Sequence, residues 1–140
     1  MTRSNAVSAS IRATTLLVLL TIAAAGCGDS PAAPEEPTGT GEPISWNASA
    51  SGLPGANYER LMFNCAAGGE PGGVWGFGPF TDDSSICTAG VHAGAITLAA
   101  GGRVTIEFRP GMNLYIGGTR NGITSHSFES WPRSFIVIVN

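Results

Sequence analysis

Eleven residues near the middle of the chain, Asp83 to Ala93 (DSSICTAGVHA), constrain the fold more than any other stretch. On a helix, Ile86, Cys87, Ala89, Gly90, Val91 and Ala93 cover most of the circumference. Ser84, Ser85, Thr88 and His92 form one narrow polar stripe, at spacings of three and four. A helix that is apolar over most of its surface is a buried helix, so the rest of the chain has to enclose it. Its small residues allow close approach by the surrounding strands. Gly90 costs helix propensity, and close backbone packing is the natural reason for it. Asp82 is expected to cap the helix, its carboxylate accepting free N–H groups of the first turn. Gly94 suits the other end, where φ is often positive. Ile86 and His92 are then structural residues of the helix.

The flanking segments read as strands. Tyr58 to Cys65 (YERLMFNC) places Leu61, Phe63 and Cys65 on one face. Val74 to Phe80 is aromatic and irregular or strand-like. Arg103 to Phe108 alternates, with Val104, Ile106 and Phe108 together, and Pro110-Gly111 is expected to turn the chain. Met112 to Gly117 is a weak strand with Leu114 and Ile116 on one side. Asn121-Gly122 is a strong hairpin turn because both residues tolerate positive φ, and Ile123 to Phe128 would return. Ser134 to Val139 (SFIVIV) is apolar on both faces and is expected to be a central, doubly covered strand. The expected architecture is a small α+β single domain: antiparallel strands wrapped around one central buried helix.

The start of the chain has a different character. Arg3 and Arg12 precede an apolar run, Ala13 to Ala25, which small residues connect to Cys27. This is a secretory signal pattern, assigned to residues 1–26. A membrane-spanning helix would need about 20 apolar residues, and this run is shorter. Ala24-Ala25-Gly26-Cys27 resembles the lipobox of bacterial lipoproteins, although Ala24 stands where such motifs usually carry Leu. That resemblance implies cleavage before Cys27, a diacylglycerol on its sulfur, and a protein lipid-anchored to the cell envelope. The location would be extracytoplasmic, on the outer membrane if the bacterium has two. Residues 27–43 read as the lipidated Cys27 followed by a linker rich in Pro, Gly and acid. The folded domain is assigned to residues 44–140.

Charge and cysteine content narrow the function. All seven basic residues are Arg; beyond residue 26, five Arg face ten acids, a net charge of −5. No basic patch points to a nucleic-acid partner. With Cys27 assigned to lipid, Cys65 and Cys87 remain, and an even pair in an exported protein reads as a disulfide, with two free thiols as the alternative.

A wider resemblance runs from Leu61 to Val137. It begins at Phe63-Asn64-Cys65 and continues through Val74-Trp75-Gly76 and Phe80-Thr81. Its centre is Asp83-Ser84-Ser85-Ile86-Cys87, followed by Val91-His92-Ala93-Gly94. Gly101-Gly102, Val104, Pro110-Gly111, Tyr115, Asn121-Gly122-Ile123, Ser125, Trp131 and Ser134-Phe135 follow in order. These residues resemble the LCCL family, a module of extracellular proteins. The resemblance implies a central helix enclosed by β-structure, a Cys65–Cys87 bond, and a binding or adhesion role with lipid or polysaccharide ligands. Members usually carry a second disulfide, for which this chain lacks the cysteines.

Catalytic and metal chemistry find little footing. His92 and His126 are the only histidines, and a zinc site wants three or four ligands at recognisable spacing. Ser84 or Ser85 with His92 and Asp82 would suggest nucleophilic catalysis, but capping explains the serines and no nucleophile elbow is present. The chain is therefore read as a non-enzymatic binding module without metal or cofactor. The expected ligand site is Trp75, Tyr115, Arg120 and Asn121, taking a glycan or lipid headgroup: Trp75 and Tyr115 for stacking, Arg120 beside the turn as an anion fork. The alternative is a structural protein that docks another envelope protein. Coplanar exposed rings would favour the glycan, a flat apolar patch the protein.

Overall fold

A computed structural model describes residues 38–140. The signal-like segment, Cys27 and the linker up to residue 37 lie outside the described residues. The elements are β1 (Thr38–Ile44), β2 (Arg60–Cys65), β3 (Phe80–Thr81), α1 (Ile86–Ala93), β4 (Gly102–Met112), β5 (Thr119–Arg120), β6 (Ile123–Thr124) and β7 (Trp131–Ile138). All lie in one compact unit.

The period-two pattern of β4 organises the core. Val104, Ile106 and Phe108 alternate onto one face and are fully buried. Beside β4 run β2 and β7, both antiparallel to it, giving a five-stranded sheet in the order β1-β2-β4-β7-β3. The helix lies on the face that β4 makes apolar, and Ile86, Cys87, Ala89 and Val91 close the core with Phe80 and Phe135. A Cβ on Gly90 would come within 2.5 Å of Val104 Cγ2, so the close approach expected there is present. The fold is a small α+β domain with one central helix against an antiparallel sheet.

Cys65 and Cys87 are joined, with Cα atoms 5.7 Å apart. The bond ties the last residue of β2 to the first turn of α1. Closing a loop of about 20 residues contributes roughly 3 kcal/mol by limiting the unfolded chain.

Several elements differ from expectation. The helix begins at Ile86, and Ser85 is its N-cap, its side chain accepting from the Thr88 N–H. Asp82 instead accepts a 2.7 Å hydrogen bond from Trp131 Nε1, a partner 49 residues away that local sequence does not reveal. Gly94 ends the helix at φ 87°, as expected. Pro110-Gly111 does not turn the chain: both lie inside β4, where Pro110 pairs with Arg133 of β7. β2 pairs with β4 only as far as Glu107, so Pro110 faces no strand on that side and its missing N–H costs no ladder bond. The central strand is β4; β7 lies next to it and is covered by β3 only at Phe135 and Ser134. β1 occupies part of the segment read as a linker and pairs in parallel with β2. The Asn121-Gly122 turn forms as expected, with φ 51° and 76°, between β5 and β6.

Candidate functional site

The polar stripe of the helix faces inward, and its members bond three stretches of loop, around Trp46, Gly72–Trp75 and Gly118. Ser84 Oγ accepts the Trp75 N–H at 3.0 Å, and Ser85 Oγ donates to the Trp46 carbonyl at 2.6 Å. Thr88 Oγ1 accepts the Gly72 N–H at 2.8 Å. His92 is fully buried and its Nε2 lies 3.1 Å from the Gly118 carbonyl, which makes Nε2 the protonated nitrogen. Its ring meets Phe77 and Phe80 edge to face, at 5.0 and 5.5 Å between centroids. Buried polar groups need partners, and this stripe supplies them to irregular backbone. No hydrogen bond among the described residues links His92 to Ser84, Ser85 or Asp82, so a hydrolytic triad is not assembled. Nor does any group of three or more His, Cys, Asp or Glu side chains converge among them.

The four residues expected to bind a ligand are scattered. Arg120 Nε and Asn121 Nδ2 both donate to the His92 carbonyl, at 2.7 and 3.1 Å. That carbonyl belongs to the last turn of α1, which has no intrahelical donor. The Arg120 guanidinium also lies 5.0 Å from the centre of the Phe77 ring. The hairpin thus caps the helix C-terminus. Tyr115 is 1% exposed, and its hydroxyl accepts the Met112 N–H at 3.0 Å. Its ring offers no free stacking face. Trp75 is half-buried and bridges to His126 through its backbone.

What the surface offers instead is apolar. Met112 pairs with Trp131, Tyr115 bridges to Phe128, and Gly117 donates to Ser127 Oγ, so residues 112–117 run beside 127–131 as a ribbon. Because Tyr115 points inward, its neighbours Leu114 and Ile116 point out, 52% and 61% exposed. Leu114 and Ile116 share one side as expected, and the inward side is taken by Tyr115, from which a stacking face was expected. Phe128 is 40% exposed and meets Trp131 edge to face, at 78° between planes. Phe77, 42% exposed, packs beside Gly118. The signal for this patch is in the MNLYI alternation, but alternation alone does not say which phase faces the core.

A family model described as the LCCL domain matches residues 46–135, which contain the disulfide, the helix, the hairpin and most of the sheet. Cochlin of Bos taurus is 36% identical over 108 residues, 74% of this chain and 19% of its own length. Vitrin of Mus musculus is 34% identical over 80 residues, 56% of this chain and 12% of its length. Clotting factor C of Tachypleus tridentatus is 34% identical over 79 residues, 55% of this chain and 8% of its length. The chain thus spans less than a fifth of these relatives. They are animal proteins, and another relative, from Homo sapiens, is named a cysteine-rich secretory protein. The expectation of a bacterial lipoprotein, held in the cell envelope with the membrane as partner through a lipidated Cys27, is corrected by them. The physical reason is that the lipobox reading rested on a short, degenerate pattern of small residues before one cysteine, whereas the family match rests on 90 positions of folded domain, residues 46–135. Among the described residues no helix is long and apolar enough to cross a membrane. With the helix, the Cys65–Cys87 bond and the hairpin all inside the matched region, the chain belongs to the LCCL domain family.

Proposed function

We propose that this chain is a non-enzymatic interaction domain that docks a protein partner through the ribbon of residues 112–117 and 127–131. The observation that carries the reading is the exposure of Leu114 and Ile116, on the outward side of residues 112–117, at 52% and 61%. A partner that covers these side chains would gain roughly 25 cal/mol for each Å² of apolar surface removed from water. The family supports an interaction role in general. A glycan bound at Trp75, Tyr115 and Arg120 fits less well: one ring is buried, the guanidinium bonds the helix end, and the exposed rings of Phe128 and Trp131 are edge to face rather than coplanar.

The test places a photo-crosslinking residue at position 116 of the full chain in an extracellular protein mixture, with the same residue at exposed Ala99 as comparison. A discrete protein adduct from position 116, lost in Leu114→Asp, is the expected result. Equal adducts from both positions, or none, would remove the ribbon as a docking surface.

A further inference from the structure

The Asn121-Gly122 turn holds a reactive pair of groups. An asparagine followed by glycine can cyclise: the glycine nitrogen attacks the side-chain carbonyl carbon, and a residue without Cβ does not hinder the approach. Of the asparagines in the chain, Asn121 alone precedes a glycine. Both residues are exposed, so water reaches the site. A Cβ on Gly122 would meet nothing within 4 Å, so the space around it is open. No hydrogen bond of the Gly122 N–H is found among the described residues.

The same asparagine side chain is tethered. Its Nδ2 donates to the His92 carbonyl at 3.1 Å, and Arg120 Nε donates to that oxygen at 2.7 Å. A Cβ on Gly94 would come within 3.1 Å of Asn121 Nδ2, so the amide is seated on the last turn of α1. To close a ring, Cγ must swing onto the Gly122 nitrogen, and that breaks the bond to His92. Ring closure also rotates the peptide between Asn121 and Gly122, which the two-residue hairpin fixes through the pairing of Arg120 with Ile123. The product is the opposite of a cap. A carboxylate accepts and does not donate, so beside the His92 carbonyl it sets acceptor against acceptor. It also places an anion at the helix end where the dipole disfavours one.

We propose that Asn121 is a deamidation site whose reactivity is gated by its bond to the helix end and whose reaction uncaps α1. The Gly122 nitrogen gives up its proton and bonds to Asn121 Cγ. The Cγ–Nδ2 bond breaks, and Nδ2 leaves as ammonia. Water then opens the cyclic imide at either carbonyl, giving aspartate or isoaspartate. One amide and one water become one acid and one ammonia, with no oxidant or reductant. Aspartate keeps the turn and loses the cap; isoaspartate also adds a methylene to the backbone of a hairpin that has no slack for it. Each local opening of the hairpin is one chance to react, so the modification records how often the helix end comes apart. This site is separate from the ribbon of the proposed function and stands or falls without it.

The test incubates the full chain, disulfide intact, in mildly alkaline buffer with and without urea. Peptide mass mapping follows Asn121 alongside Asn113, an exposed asparagine that precedes Leu114. Conversion at Asn121 and not at Asn113, slower in the folded protein than in urea, is expected. Arg120→Ala removes the second bond at the helix end and should speed conversion of the folded protein about fivefold, the factor of one lost hydrogen bond, with no change in urea. Should that variant fail to fold, the ratio of the folded and urea rates of the unaltered chain decides. Asn121→Asp supplies the product directly, and its amide exchange at Gly94 and Ala95 should be faster than in the unaltered chain. No conversion at Asn121 in urea, equal conversion at Asn113, equal rates with and without urea, a rate unmoved in folded Arg120→Ala, or unchanged exchange in Asn121→Asp would each overturn the proposal.

Discussion

Gly90 and His92 show how much of this domain turns on single atoms. A Cβ at Gly90 would press on both methyls of Val104, a fully buried β-branched residue that has no room to move. Gly90→Ala should therefore destabilise by roughly 1–3 kcal/mol, although the same change in an exposed helix stabilises. Urea unfolding measures it; a gain in stability would mean the helix and β4 are less tightly packed than described. His92→Ala removes the Nε2–H bond to Gly118 and two ring contacts, and should lower stability by about 2 kcal/mol. An unchanged unfolding midpoint would count against that role. The role of Gly90 is legible in the sequence, because a glycine costs a buried helix stability unless a neighbour needs the space its missing side chain leaves. The partner of His92 is not legible, since Gly118 lies 26 residues away in a loop without pattern.

At the scale of elements, the sequence of the helix shows its burial plainly and its start poorly. Asp82 and Ser85 are both good caps, and what separates them is Trp131, which takes Asp82 for itself. The β5–β6 turn is legible because Asn-Gly is nearly specific to it, but its second task is not. Arg120 and Asn121 have the chemistry of ligand contacts, and the structure turns both onto the His92 carbonyl. Replacing Asn121 with Ala should loosen the helix end as well as the hairpin, by about 1 kcal/mol for the lost bond. Amide exchange would then speed up at Gly94 and Ala95, whose N–H groups bond the carbonyls of Val91 and Gly90. Exchange confined to the hairpin would refute the coupling. The solvent side of β4 is half visible in the sequence: RVTIEFR alternates plainly, but only the register with β2 brings Arg60 beside Glu107.

For the molecule as a whole, the eight-residue helix has a kinetic consequence. Its partners lie far off in the chain: Trp46 is 39 residues from Ser85, Cys65 is 22 from Cys87, and Arg120 is 28 from His92. A segment that short does not nucleate alone in water, where about 12–15 residues are the margin even for good helix formers. During refolding with the disulfide intact, the amides of Ala89 to Ala93 should gain protection in step with those of β4 and β7, and the rate should be set by the time those strands take to find each other.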